Sequence, residues 1–258
     1  MRHAPATIKK IFRYPVKGLA AQPLGCAELA AGQTVPGDRL YAIENGPSGF
    51  DPAAPAYFPK HLFLMLMRNE RLARLDTRFD DTTHTLEVRE GGGAVRGDLR
   101  TADGRGTIEA FFAAFCADEL RGPPKVLHAP GHSFSDVSRK VVSIINLASV
   151  AAIETLVGVP VDPLRFRANV YAEGWPPWHE LELVGKTLAL GATARARVVK
   201  RIERCAATNV EPGTGIRDLS IPHSLLRACG HTDCGIYAEV IAGGTITPGD
   251  RIDALDEG

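Results

Sequence analysis

The chain has 258 residues, enough to bury one large core or two closely packed ones. Its 30 Lys and Arg residues balance 30 Asp and Glu residues, which argues against a general binder of nucleic acid or of acidic membranes, since both need a basic excess. Apolar residues at 45% argue against disorder, no run approaches the roughly 18 apolar residues of a membrane span, and five irregularly spaced cysteines do not form a disulfide framework.

The first segment, Met1 to Leu24, has scattered basic residues and no continuous apolar stretch, so no signal peptide or anchor is expected. A reducing, cytoplasmic location is the simpler reading of the cysteines.

Short β-rich segments punctuated by Gly and Pro predict a sheet or barrel core. In chain order, strands are expected at Ile8–Tyr14 and Leu40–Ile43, then a long loop at Gly46–Lys60. A strand at Leu86–Arg89 is followed by the glycine-dense Gly91–Gly106, read as turns or a hairpin pair. Helical spacing predicts a helix over Ile108–Leu120 with Thr107 as its N-cap. The aperiodic stretch Gly122–Ser138 marks a boundary, giving domains 1–120 and 121–258. Beyond it come a strand at Val141–Ile145 and a helix at Leu147–Val157, started by Asn146 or Ser149 and stopped by Gly158. Strands follow at Phe166–Tyr171, Thr187–Leu190 and Ala194–Val199. A helix at His223–Cys229, closed by Gly230, precedes a last strand at Tyr237–Ala242.

Four segments could carry chemistry. On a strand through Arg165-Phe166-Arg167-Ala168-Asn169, the residues Arg165, Arg167 and Asn169 would share a face. Two arginines so placed repel unless an anion such as phosphate lies between them, or each pairs with a carboxylate such as Glu180 or Glu182. Lys17, before Gly18, could point into a pocket or lie beside a surface turn, and Arg39 after Gly37-Asp38 could face a cavity or end a strand. Cys205 leaves a strand for a polar turn near Arg201 and Arg204. Positive charge there favours a thiolate that could attack or bind a soft metal, the alternative being a small core residue. Cys229, His231 and Cys234 have zinc-ligand chemistry, but no second cysteine pair matches them, and core or loop cysteines are the stronger reading.

Taken in order, these pieces resemble a MOSC-domain protein with its accompanying N-terminal β-barrel domain, the family of the amidoxime-reducing enzymes and of the C-terminal part of molybdenum-cofactor sulfurases. The resemblance runs from Tyr14-Pro15-Val16-Lys17-Gly18 and Gly37-Asp38-Arg39 through Val142-Ser143-Ile144-Ile145-Asn146-Leu147, Arg165-Phe166-Arg167-Ala168-Asn169 and Trp178-His179-Glu180-Leu181. It continues through Arg204-Cys205-Ala206-Ala207-Thr208-Asn209 to Gly249-Asp250. It implies a mostly β (α+β) fold, an N-terminal β-barrel domain packed on a MOSC β-barrel with a few short helices. It also implies a molybdenum cofactor (molybdopterin) held by Lys17, Gly18, Arg39, Ser143, Asn146, Arg165, Arg167, Asn169 and Thr208, with Cys205 as catalytic residue and molybdenum ligand. The chain departs from the family pattern at Tyr41, Ala168 and Pro176-Pro177.

The expected function is reduction of a small N-oxygenated (N-hydroxylated) compound. No cysteine-rich extension is present in the sequence, so electrons are expected from a separate ferredoxin-like, flavoprotein or cytochrome b5-like partner, with no nucleic acid and no membrane involved. The alternative is a sulfur carrier or cofactor-handling protein working through a Cys205 persulfide.

Overall fold

The computed structural model describes residues 5–255. The first half contains β1 (Ala6–Arg13), β2 (Gln22–Leu24), β3 (Ala27–Leu29), β4 (Ala42–Ile43), β5 (Asp76–Asp80), β6 (Thr85–Glu90), β7 (Gly93–Asp98), α1 (Ala102–Phe115) and β8 (Val126–Leu127). The second contains β9 (Val142–Asn146), α2 (Leu147–Val157), β10 (Val170–Glu173), β11 (Thr187–Leu190), β12 (Ala194–Glu203), α3 (Ile221–Cys229), β13 (Asp233–Ala242), β14 (Gly244–Ile246) and β15 (Arg251–Leu255).

Alternation of apolar residues along these strands builds a closed barrel. Its seven staves run β1-β10-β9-β13-β12-β11-β15 and return to β1, with β2 added at the side of β1. Only the β9–β10 pair is parallel. Ile8 and Ile11 of β1, Val142 and Ile144 of β9, Leu188 and Leu190 of β11, Ala196 and Val198 of β12 and Ile236, Ala238 and Val240 of β13 fill one buried cluster. Closure leaves these staves without free edges. The first strand of the chain is thus a stave of a barrel otherwise made by residues 142–255, so the two halves share one sheet.

A second core lies outside the barrel. The antiparallel sheet β5-β6-β7 packs Phe79, Leu86 and Val88 against Ile108 and Phe112 of α1 and against Tyr41, Leu64 and Leu72. The helix starts six residues before the expected Ile108, at Ala102, and Thr101 rather than Thr107 caps it by accepting a hydrogen bond from the Gly104 amide at 3.0 Å. Glycines that read as turn formers are a packing device here: a Cβ on Gly104 would lie 2.1 Å from the Asp98 carbonyl oxygen, so only glycine lets α1 sit on β7.

The expected strand at Phe166–Tyr171 is also corrected. Asp162-Pro163 opens a 3-10 turn over Pro163–Phe166, with the Asp162 carboxylate accepting from the Leu164 amide at 2.8 Å. Arg167 then takes a left-handed conformation (φ 52°), and the strand begins only at Val170. The alternation of Arg and apolar residues mimicked a strand while the Asp-Pro signal set the backbone. The other two helices end as expected: α2 is capped by Asn146 and ends at Gly158 in the left-handed region, and α3, which starts at Ile221 rather than His223, ends at Gly230 in the same way. The expected last strand begins at Asp233 rather than Tyr237, and β14 and β15 follow it. Among the described residues, no helix is long and apolar enough to cross a membrane.

Candidate functional site

Two motifs from the first half meet through their backbones. The Arg39 amide donates to the Tyr14 carbonyl at 2.8 Å, Tyr41 to Pro15 at 3.0 Å and Lys17 to Tyr41 at 2.8 Å. The Asp38 carboxylate accepts from the Tyr14 amide at 2.8 Å and also pairs with the Arg39 guanidinium. This ladder docks on the barrel, where the Phe12 amide donates to the Asn169 carbonyl at 2.7 Å and Asn169 in turn to Ser143 at 3.0 Å. A motif near residue 17, one near 39 and one near 167 are thereby drawn together.

Their meeting place is a cavity of about 250 Å³. Its walls carry eight basic side chains, Lys17, Arg39, Lys60, Arg165, Arg167, Lys200, Arg201 and Arg204, against two acidic ones, Asp136 and Glu203. Cys205 lies on the same wall, half-buried, where β12 ends and a 3-10 turn over Ala206–Asn209 begins. Thr208 closes that turn, its Oγ1 donating to the Cys205 carbonyl at 3.0 Å.

Most of these cations have partners, and the exceptions define the site. Arg165 is held bidentately by Asp218, through Nη1 at 2.8 Å and Nη2 at 2.7 Å. The carboxylate reading thus applies to Arg165, with Asp218 in place of Glu180 or Glu182. Lys17 pairs with Asp136, and Arg39 with Asp38. Among the described residues, Arg167, Arg204 and Lys60 form no direct ion pair with a carboxylate, although Asp136 lies near enough to Lys60 to interact with its charge. Arg39 and Arg167 both lie over the Tyr14 ring, at 5.0 and 4.2 Å from its centroid, and both are non-glycine residues in the left-handed region (φ 52° each). Such backbone strain persists only where surrounding structure imposes it, and it concentrates at functional sites. Burial lowers the Arg167 pKa, and the neighbouring Arg39 charge adds to the effect. Arg204 donates from Nε to the Cys234 carbonyl at 2.6 Å and from Nη1 to the Phe166 carbonyl at 2.8 Å, but its buried Nη2 has no partner. The buried Nε of Arg165 is likewise unpartnered. Buried donors are normally satisfied, so two orphans around one cavity point to an absent acceptor.

Residues 129–253 match the sequence profile of the MOSC domain. This stretch is a MOSC domain, and MOSC domains are associated with molybdenum-cofactor binding. The YuaD protein of Bacillus subtilis (APC1665) is similar in structure over 100% of both chains, at 14% identity and a TM-score of 0.47. YiiM of Geobacillus stearothermophilus is similar over 45% of this chain and 55% of its own, at 19% identity and a TM-score of 0.36. No curated protein sequence matches the chain.

The MOSC domain and the segment before it suit a phosphorylated pterin that carries molybdenum. Guanidinium forks and a buried ammonium favour phosphate, two buried donors lack acceptors, and a thiol is a soft ligand for the metal. Of the residues expected to hold it, Lys17, Gly18, Arg39, Ser143, Arg165, Arg167, Asn169, Cys205 and Thr208 line the cavity. Gly18 (φ +83°) lets its backbone pass Leu64, where a Cβ would lie 2.7 Å from the carbonyl oxygen. Asn169 lines the wall but also ties it together. Its Oδ1 accepts from the Ser143 amide (3.1 Å) and hydroxyl (2.8 Å), and its Nδ2 donates to the Phe12 carbonyl (3.2 Å). Asn146 lies elsewhere. It caps α2, and its Nδ2 donates to the Pro176 carbonyl and to Glu180, a buried carboxyl whose pKa burial raises. Cys234 is buried in β13, Cys229 is exposed, and no three His, Cys, Asp or Glu among the described residues converge as metal ligands.

Sequence reasoning missed Asp136, Lys60 and Tyr237, which line the cavity, and Asp218, which holds Arg165. Asp136 lies in the stretch taken for a boundary and Lys60 ends the long loop. Each reaches the site only through contacts spanning scores of residues, which leave no local pattern. Burial opposes the Lys60 ammonium, yet the adjacent Cys205 and Asp136 hold its pKa above the usual lysine value.

The Arg165–Asp218 pair gives a pH expectation. Hydrogen bonds from Arg165 hold the Asp218 carboxyl below its ordinary value of 3.8. A depressed folded-state pKa contributes stability that is present above 3.8 and lost as pH falls through the depressed value. Asp218→Asn leaves Arg165 buried without its counter-charge and is expected to cost about 2 kcal/mol at pH 7, discounted because Asp218 is partly open to solvent. Urea midpoints should show the gap between wild type and variant closing below pH 3.8. A gap that persists there would contradict this assignment.

Proposed function

We propose that the chain binds a molybdenum cofactor and reduces N-oxygenated compounds, such as N-hydroxylated amidines or related hydroxylamines, with electrons from a separate partner protein. The observation that carries this reading is Cys205 on the wall of a cavity with more cationic charge than the chain itself neutralises. Lys17, Arg39 and Arg167 would hold the phosphate, the Nη2 of Arg204 would donate to the ligand, and the Cys205 thiolate would ligate the metal. When bound, the cofactor supplies a redox-active molybdenum that accepts oxygen. The overall reaction takes an N-hydroxylated amidine, two electrons and two protons to the amidine and water. Lys60 keeps a proton on Nζ, so it would present a fixed positive charge beside Cys205.

Protein from a cofactor-producing host, given an aromatic amidoxime and a chemically reduced dye, should release the amidine. Molybdenum-loaded protein that forms none would overturn the reductase reading, and a persulfide on Cys205 would then favour sulfur transfer.

A further inference from the structure

Lys17 is 4% exposed, and its ammonium is held by groups of the chain itself. Its Nζ donates to the Phe134 carbonyl at 2.9 Å and pairs with the Asp136 carboxylate. Burial lowers the Lys17 pKa and Asp136 offsets part of that; in return Lys17, Arg39 and Lys60 overcome burial and hold the Asp136 carboxyl far below the usual range. Asp136 thus answers three cations of the cluster at once.

The segment that carries it is built for exchange. Residues 128–141 contain neither helix nor strand. The near end is pinned: the Phe134 amide donates to the Arg39 carbonyl at 2.8 Å, and the Ser133 hydroxyl to the Asp38 carbonyl at 3.0 Å. The far end is tied by surface contacts, Lys140 to Gln33 at 2.7 Å and Arg139 to Glu239 at 3.2 Å. Between them, Asp136 is held by Lys17 and by one hydrogen bond from the Tyr57 hydroxyl to its carbonyl, at 3.2 Å. Its side chain remains 46% exposed, so it can leave without crossing packed structure.

We propose that Asp136 is a resident anion that neutralises Lys17 in the ligand-free protein and is displaced from it by the phosphate of an incoming ligand. This rests on the anion-pocket reading above and adds a specificity device to it. A carboxylate and a phosphate dianion cannot share one ammonium without strong repulsion, so a ligand gains the site only if it binds the cation cluster better than Asp136 does. Weakly held monoanions fail that competition, and a phosphate that engages Lys17, Arg39 and Arg167 together wins it.

Inorganic phosphate is the probe, with titration calorimetry as the readout. Asp136→Asn should bind phosphate roughly tenfold or more tightly than wild type, because the internal competitor is gone. Equal or weaker binding by the variant would overturn the proposal while leaving the anion pocket in place. Phosphate binding to neither protein would overturn both. A second measurement needs no variant: saturating phosphate should speed hydrogen exchange of amides 135–138 in wild type at least severalfold. Unchanged or slower exchange there would likewise overturn it.

Discussion

Replacing Arg167 by methionine should cut affinity for phosphate at least tenfold while leaving the melting temperature of the ligand-free protein unchanged or slightly raised. The two halves of this result have one cause. Arg167 has no carboxylate partner among the described residues, lies beside the like charge of Arg39, and is half-buried in a strained backbone conformation. Its charge therefore does little for the folded state beyond its contact with the Tyr14 ring, worth about 1 kcal/mol. Methionine retains much of the volume and removes the repulsion. A charged hydrogen bond to phosphate, in contrast, is worth about 1.5–3 kcal/mol, or more than tenfold in affinity. Calorimetry with inorganic phosphate and thermal unfolding check both halves. A large fall in melting temperature with phosphate binding intact would mark Arg167 as structural.

The second large effect is expected at Cys205. Cys205→Ala should reduce amidoxime turnover to background while keeping the fold. Cys205 is only half-buried, and its thiol does not cap the turn that follows, which is closed instead by Thr208 through the Cys205 backbone carbonyl. Removing the sulfur should cost no more than about 1 kcal/mol, a shift of about 2–4 °C for a chain of this size. Unimpaired turnover by the alanine variant would remove Cys205 from the chemistry.

The sequence showed the barrel and most of the site because both rest on local signals. Strands β1, β9, β11 and β12 declare themselves by short apolar segments between turn residues, and Gly158 and Gly230 by their place after the last helical turn. Lys17, Arg39, Arg167 and Cys205 each sit in a short motif, and the cavity brings them together. Two kinds of feature escaped. Where a local pattern had two meanings, the wrong one was read: glycines that let α1 pack closely on β7 passed for turns, and an Arg/apolar alternation passed for a strand across the Asp162-Pro163 turn. Where a residue's place depends on distant partners, nothing local revealed it. Asp136 meets Lys17 across 119 positions, and Asp218 meets Arg165 across 53. Asn146 shows the converse: the family resemblance implied that it holds the cofactor, whereas its side chain caps α2, as its place before the helix suggested, and holds Glu180. A net charge of zero also gave no sign of the eight basic side chains around one cavity, because a sum over the chain does not say where the charges sit.

Cofactor binding is tested by the molybdenum and pterin content of the purified protein from a cofactor-producing host, measured by elemental mass spectrometry and by fluorescence of the oxidised pterin, with Arg167→Met alongside. Near-stoichiometric metal and pterin are expected in wild type, with a marked loss of both in the variant. Wild-type protein that carries neither, although the host supplies the cofactor to other enzymes, would contradict cofactor binding.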